Sequence, residues 1–153
     1  DDELASLIRC PRGSVLVCIF DCCHSGTVLD CGYMWDDKLQ TWTCSTDAKY
    51  ALKSEGIVMC ISGCKDAQTA ADAHIQQTSQ GAMTWSLLST LQKDEEERKL
   101  QKKKKSKATL TVPIVVDVMR KMLREHGYTQ VPQLTCNTMY LPTSAFPLSA
   151  ALG

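Results

Sequence analysis

The sequence lacks the features that mark membrane proteins and proteins with a strong electrostatic field. No apolar run approaches the ~20 residues that a helix needs to span a bilayer, and no charged-then-apolar leader opens the chain. Net charge is also missing, because 17 basic residues balance 17 acidic ones among 153 residues. We therefore predict no membrane partner, no nucleic-acid partner, and one globular domain or part of one.

A disulfide framework is not indicated either, although cysteine is abundant. The nine cysteines are odd in number, Cys22 and Cys23 are adjacent, and Cys18 and Cys60 lie inside apolar runs. This pattern favours a reducing compartment over a secreted, disulfide-bonded scaffold. We expect a cytoplasmic protein, with the nucleus as the alternative.

Two continuous apolar runs predict the centre of the fold. Residues 15–20 and 57–61 are each bounded by polar residues, which is typical of strands buried on both faces of a parallel sheet. In α/β proteins the functional side chains gather where such strands end. The first run leads into residues 21–26 and the second into Ser62 and Gly63, so we expect both ends to face one crevice.

Helical periodicity predicts three helices around this sheet. The first opens the chain around Leu4 and Leu7, the second covers residues 82–91, and the third runs from a cap at Thr111 to Gly127. The predicted apolar positions of the last two are Met83, Leu87, Leu88, Leu91, Ile114, Val115, Val118, Met119, Met122 and Leu123. We expect the third helix to pack on the sheet.

The other segments carry weaker signals. Residues 29–54 are polar and irregular, which predicts a long loop. Residues 131–135 and 138–141 predict a final pair of short strands. The tail at 142–153 is expected to be weakly structured.

A charged tract at residues 93–110 predicts a flexible insertion. It begins with opposite charges at i,i+4 spacing and continues into the lysine run 102–105. The pairs are Asp94 with Arg98 and Glu95 with Lys99. No aromatic residues accompany the lysines, so a solvated helix end and loop is favoured over a nucleic-acid patch or a nuclear-import signal.

The strongest local signal is D-C-C-H-S-G at residues 21–26. A cysteine on a strand-to-loop turn projects into a crevice, but His24 cannot form a dyad with Cys23, because neighbouring strand residues point to opposite sides. A phosphate-binding cysteine loop would want arginine where Leu29 stands. No zinc is expected, because the clustered cysteines lack the paired spacing of a structural site. The residues alone leave catalysis open.

This segment resembles the nucleophile motif of type I metacaspases. The resemblance continues through S-G-C-K-D-A-Q-T-A-A-D-A at 62–73, G-A-M-T-W at 81–85 and Y-T-Q-V-P-Q-L at 128–134, in the order of that family. It implies a caspase-like α/β fold with a mostly parallel central sheet flanked by helices. Residues 1–153 would then form the C-terminal portion of one peptidase domain.

The resemblance also implies a cysteine endopeptidase that cleaves protein substrates after arginine or lysine. Cys23 matches the nucleophile, and its backbone N–H would supply half of an oxyanion hole. Asp21 matches the aspartate that lines the pocket for the basic residue, where a carboxylate pairs strongly with guanidinium or ammonium. Without the family match, loop capping is the simpler interpretation of Asp21.

Calcium is the cofactor that the resemblance implies. Members of the family are commonly activated by calcium held on aspartates that match Asp1, Asp2 and Asp30, and carboxylate oxygens suit this ion. The alternative is that Asp1 and Asp2 favour the start of a helix and that Asp30 ends a turn.

The main departure from the family is the partner histidine, which belongs to an upstream S-G-H-G-like segment. His24, His74 and His126 lie in other contexts, and none is predicted to be the general base. We expect the N-terminal half of the domain upstream of Asp1, and little activity from this chain alone. The alternative is a truncated, non-catalytic caspase-like module that binds or regulates partners. The resemblance favours a monomer.

Overall fold

The computed structural model describes residues 2–21, 29–44, 52–63, 72–75, 78–100 and 110–139. Within these ranges the chain forms three helices and seven strands. In chain order they are α1 (Asp2–Leu7), β1 (Val15–Phe20), β2 (Tyr33–Asp36), β3 (Thr41–Cys44), β4 (Ile57–Ser62), β5 (Asp72–Ile75), β6 (Thr78–Gly81), α2 (Ala82–Leu100), α3 (Val112–Glu125) and β7 (Gln133–Cys136).

Five of these strands form a mixed sheet in the order β1-β4-β7-β2-β3. β1 and β4 are parallel, with Val15 beside Ile57 and Phe20 beside Ser62, whereas β7 is antiparallel to both β4 and β2. The α/β class and the parallel pairing of the two apolar runs are confirmed. A mostly parallel sheet is wrong for these strands, because a short turn joins β2 to β3 as an antiparallel pair and β7 enters beside β4 in the opposite direction.

β1 is less buried than its sequence predicts. β4 lies between β1 and β7 and is buried from Val58 to Ser62, so burial on both faces is confirmed there. β1 has β4 as its one neighbour among the described strands, and its residues Val15, Leu16 and Ile19 are each at least 36% exposed. An apolar run alone does not distinguish a central strand from an edge strand.

The prediction of one long loop over residues 29–54 is wrong, because β2 and β3 form a hairpin within it. Trp35 and Trp42 are directly opposite, and their rings pack edge to face with centroids 5.4 Å apart. In the turn, Oδ1 of Asp36 accepts the backbone N–H of Lys38 at 2.8 Å. Aromatic cross-strand pairs stabilise such hairpins. In the sequence, the charged turn residues between the two short strands obscured the alternation of side chains that is typical of strands.

Helices α2 and α3 pack on one face of the sheet and form the larger core, which confirms the packing predicted for α3. Its buried members are Trp35, Met59, Ile61, Leu134 and Cys136 from the sheet, with Met83, Leu87, Leu91, Val112, Val115, Val116 and Met119 from the helices. Leu88, Ile114 and Val118 are exposed, so their assignment to the apolar faces is wrong. Of the helices in the described ranges, none has the length and apolarity to cross a membrane.

A smaller core covers the opposite face of the sheet. It contains Cys10, Leu29, Cys31, Leu52, Val58 and Cys60, with Ala5 and Ile8 of the α1 region packed against it. The predicted opening helix is therefore confirmed. The two faces of β4 alternate between the two cores, as the pleat of a strand requires.

Helix α2 is longer than the predicted 82–91, because it continues through residues 93–100 of the charged tract. The predicted pairs are formed, with Asp94 2.6 Å from Arg98 and Glu95 2.5 Å from Lys99. The flexible insertion remains a prediction for 101–109, which lie outside the described ranges.

The C-terminal strand prediction is confirmed in part. β7 overlaps the first predicted segment at residues 133–135 and ends one residue beyond it at Cys136, but Thr138 and Met139 are not in a strand. The rest of the second segment and the tail at 142–153 lie outside the described residues.

Candidate functional site

The carboxyl ends of β1 and β4 meet at one edge of the sheet, as predicted. Gly63, directly after β4, donates its backbone N–H to the carbonyl of Phe20, the last residue of β1, at 2.8 Å. Asp21 follows Phe20 and is half-buried. The first residue of the D-C-C-H-S-G segment is thus fixed at the carboxyl ends of these parallel strands, where α/β proteins place their functional groups.

The carboxylate of Asp21 is held at the N-terminus of α2. Its Oδ2 accepts the backbone N–H of Thr84 at 2.9 Å, so Asp21 supplies the capping group that Gly81, directly before the helix, has no side chain to provide. A Cβ on Gly81 would overlap this carboxylate. The absence of that atom lets the carboxylate reach the helix, and the helix dipole favours negative charge there.

Gln130 approaches the same carboxylate from the loop between α3 and β7. Its Nε2 donates to Oδ1 of Asp21 at 3.4 Å, and Gln130 is only 2% exposed. A Cβ on Gly63 would lie 2.7 Å from Nε2, so the glycine makes room for the amide. We call Asp21, Gly63, Gly81, Thr84 and Gln130 the Asp21 site.

No cation neutralises Asp21 within the described part of the chain. Its two hydrogen-bond donors there, Thr84 N–H and the Gln130 amide, are both neutral. Among the described residues, the carboxylate is therefore oriented by neighbours that carry no compensating charge. Such an arrangement can receive a cationic group.

Sequence reasoning did not single out Thr84 or Gln130. Both lie in segments that the family resemblance covers, 81–85 and 128–134, but their contribution depends on tertiary contacts across 63 and 109 positions of sequence. The signal available in the sequence was only that Asp21 and these segments belong to one family pattern.

An aromatic cluster lies beside the first turn of α2 and the end of α3. The ring of Trp85 packs edge to face on His126, with centroids 4.7 Å apart, and lies 6.4 Å from the ring of Tyr128. His126 is exposed, and its Nδ1 is 2.9 Å from the carbonyl oxygen of Met122. The prediction that His126 is a surface residue at a helix end is confirmed.

Several predicted site residues lie outside the described ranges. They include Cys22, Cys23 and His24, so the nucleophile and its oxyanion N–H remain predictions. Asp1 is likewise outside, and of Asp2 only the backbone is described, in α1. Asp30 has a backbone φ of +44°, and its carbonyl accepts the N–H of Leu52 at 3.0 Å.

The described residues contain no group of three or more His, Cys, Asp or Glu side chains able to hold a metal ion. Since the proposed calcium set includes Asp1 and Asp2, this does not test it. Calcium binding by Asp1, Asp2 and Asp30 stays a prediction.

Three buried or half-buried thiols in or next to the sheet are poor nucleophiles. The six cysteines in the described ranges are thiols rather than members of disulfides. Burial raises the pKa of Cys31 to about 12. Burial also raises the pKa of Cys136, and burial followed by the nearby Cys10 raises that of Cys18. Because the thiolate is the reactive form, these three side chains are less reactive at neutral pH than an exposed cysteine of ordinary pKa.

The mixed sheet, its two flanking layers and the polar site at the ends of β1 and β4 define an α/β domain with the organisation of a caspase-like protein. The family model for the caspase domain of peptidase family C14 matches residues 1–142. The chain therefore belongs to the caspase domain family, whose members include cysteine peptidases.

Curated relatives that match the chain include several metacaspases. The chain is 28% identical to Metacaspase-1 of Meyerozyma guilliermondii, over 88% of this chain and 40% of that protein. It is 28% identical to Metacaspase-5 of Trypanosoma cruzi, over 95% of this chain and 34% of that protein, and 31% identical to Metacaspase-3 of the same organism, over 82% and 35%. The chain thus spans about a third to two-fifths of the length of these relatives.

Proposed function

We propose that this chain is the C-terminal portion of a cysteine endopeptidase that cleaves proteins after arginine or lysine. The observation that carries the proposal is the Asp21 carboxylate, fixed at the end of β1 by neutral donors and two positions before Cys23 in sequence. A carboxylate so placed suits a substrate guanidinium or ammonium next to the scissile bond. Membership of the caspase domain family supports the reaction class.

In the proposed reaction, the sulfur of Cys23 attacks the scissile carbonyl carbon. The backbone N–H of Cys23 donates to the resulting oxyanion, whose collapse breaks the C–N bond and forms a thioester. A histidine takes the thiol proton and delivers it to the leaving amine. Water then hydrolyses the thioester to a carboxylic acid and restores the thiol.

The histidine is proposed to come from the sequence upstream of residue 1, with the N-terminal half of the domain. The exposed edge of β1 supports this, because Val15, Leu16 and Ile19 present an apolar strand with one described neighbour. An additional strand beside β1 would bury these side chains. We propose a cytoplasmic monomer as the working form.

Calcium is proposed as the activator, with Asp1, Asp2 and Asp30 as ligands. Hard carboxylate oxygens suit this ion, and the chemistry of the three residues fits it. The ion would supply positive charge that organises the segment around Asp30, which lies seven positions after Cys23 in sequence.

Covalent labelling tests the nucleophile. An arginyl chloromethyl ketone should label the full-length protein in the presence of calcium and much less after chelation, and Cys23→Ala should abolish labelling. Cys44→Ala is the matched control, because Cys44 is an exposed cysteine on β3, at the opposite edge of the sheet. Asp21→Asn should weaken labelling by the arginyl probe.

Failure of a folded full-length protein to be labelled would remove the peptidase proposal. Labelling that persists in Cys23→Ala would assign the nucleophile elsewhere. Labelling that is the same with and without chelation would refute the proposal of calcium activation and leave the peptidase proposal standing.

A non-catalytic binding module is the second candidate. The apolar edge of β1 favours it, since an exposed strand edge can accept a partner strand by main-chain pairing. A folded, unlabelled full-length protein in which β1 remains an open edge and captures an added strand would support this candidate.

A further inference from the structure

Gln130 has a hydrogen-bonding capacity that the fold does not use. Gln130 is 2% exposed, and its side-chain oxygen Oε1 has no hydrogen-bond partner within the described part of the chain. Buried polar groups are nearly always paired, and an unpaired acceptor costs stability. The unused oxygen therefore calls for an explanation beyond packing.

The orientation of this amide follows from its neighbour. A carboxylate only accepts hydrogen bonds, so the Gln130 atom that faces Oδ1 of Asp21 is the donor Nε2, 3.4 Å away. The acceptor Oε1 is on the same amide group and so lies close to the Asp21 carboxylate. The site thus offers a charged acceptor and a neutral acceptor side by side.

We propose that Gln130 is a specificity-determining residue that favours arginine over lysine at the substrate position before the scissile bond. This inference rests on the proposed peptidase function. Oε1 of Gln130 would accept one N–H of the substrate guanidinium, while the Asp21 carboxylate accepts two others. Gln130 would also orient that carboxylate through Nε2.

The number of donors distinguishes the two substrates. A carboxylate offers about four lone-pair positions, and Thr84 and Gln130 occupy one on each oxygen. A guanidinium that takes the remaining two still has three N–H groups, one of which Oε1 can receive. An ammonium has three donors on a compact group carried by a flexible stem, and it lacks the planar fork that directs an N–H to Oε1 while two others bind the carboxylate, so it should gain less from Gln130.

The test compares two peptides that differ only in arginine or lysine before the scissile bond, cleaved by the full-length protein. Gln130→Met keeps the volume and removes both amide contacts. It should lower kcat/KM for the arginine peptide about ten-fold or more and for the lysine peptide about three-fold or less. Gln130→Asn, which draws the amide back by one methylene, should shift the ratio in the same direction and remains informative if Gln130→Met does not fold.

Gln133→Met is the matched control. Gln133 is also a buried glutamine, 6% exposed, but its Nε2 donates to the carbonyl of Val131 at 2.9 Å. This variant should leave the ratio of the two kcat/KM values unchanged. Equal losses on both peptides in the Gln130 variants, or the same ratio change in Gln133→Met, would overturn the inference while the peptidase proposal stands. A wild-type protein that cleaves neither peptide would overturn both.

Discussion

Gly81 and Gly56 form a matched pair of glycines whose replacement by alanine should have opposite consequences. At Gly81 an added Cβ would overlap the side-chain tip of Asp21, whereas at Gly56 it would overlap the backbone carbonyl oxygens of Pro11 and Ser14. A carboxylate can rotate away, but a backbone segment must shift as a whole. Gly81→Ala should therefore displace Asp21 at a small cost in stability, and Gly56→Ala should destabilise the fold while leaving Asp21 in place.

The expected magnitudes follow from the contacts that each change removes. Gly81→Ala breaks the hydrogen bond from Thr84 N–H to Asp21, which acts as a helix cap, so the free energy of unfolding should fall by about 1 kcal/mol. Gly56→Ala overpacks a site where the glycine N–H donates to Cys10 at 2.7 Å and its carbonyl accepts from Asn137 at 3.0 Å. Its cost should be about 3 kcal/mol.

The losses of catalytic activity should rank the two variants in the reverse order, with the larger loss in Gly81→Ala. Moving the Asp21 carboxylate removes the charge that pairs with a substrate cation, so Gly81→Ala should lower kcat/KM on an arginine peptide about thirty-fold or more. Gly56→Ala, assayed at a temperature where it is folded, should stay within about three-fold of wild type.

Urea unfolding followed by circular dichroism gives the stabilities, and peptide cleavage by the full-length protein gives kcat/KM. If Gly81→Ala kept its kcat/KM within about two-fold of wild type, the position of Asp21 would not matter for substrate binding. If it lost more stability than Gly56→Ala, the assumption that the side chain yields more easily than the backbone would be wrong.

Two further predictions concern the cores. Burial raises the pKa of Cys31 from 9.0 to about 12, so the folded state keeps a proton that the unfolded chain releases. The contribution of Cys31 to the free energy of unfolding should therefore be constant below about pH 9 and become less favourable as the pH rises toward about 12. Urea unfolding of wild type and Cys31→Ala across that range checks it, because the difference between the two proteins should shrink as the pH rises. Arg120 is buried, pairs with Asp37 and donates Nε–H to Pro132 O at 2.7 Å, so Arg120→Met should cost about 2–3 kcal/mol in thermal or urea unfolding. Glu95→Ala, which breaks an exposed pair on α2, should cost less than about 0.5 kcal/mol, and equal losses in the two variants would contradict this ranking.

Local signals in the sequence predicted the elements whose burial is uniform. Strand β4 and helix α3 were found from an apolar run and from periodicity, since β4 is covered on both faces and α3 is covered along one. The β2–β3 hairpin was missed, because four-residue strands with a charged turn resemble an irregular loop until the Trp35–Trp42 pair brings them together. Likewise, the exposure of β1 depends on its place in the sheet, which no local pattern encodes.

The candidate site divides in the same way. Asp21 was identified because it stands at the end of an apolar run inside a family motif, and its location at the strand-end edge follows the general rule for α/β folds. Thr84 contributes a backbone N–H, which no side-chain pattern reveals. Gln130 reaches Asp21 from a loop, and its importance comes from an unused acceptor that only the packed structure exposes.

The edge position of β1 has a consequence for how the chain behaves at high concentration. Its sequence, V-L-V-C-I-F, is a six-residue stretch without charge or proline, which is the composition of segments that stack into cross-β assemblies. Arg12 and Asp21 flank it as charged gatekeepers, but they lie outside the strand itself. Aggregation of the chain on its own should therefore begin at β1. A single lysine in place of exposed Leu16 should delay it more than the same change in the buried interior of β4, where it would unfold the sheet.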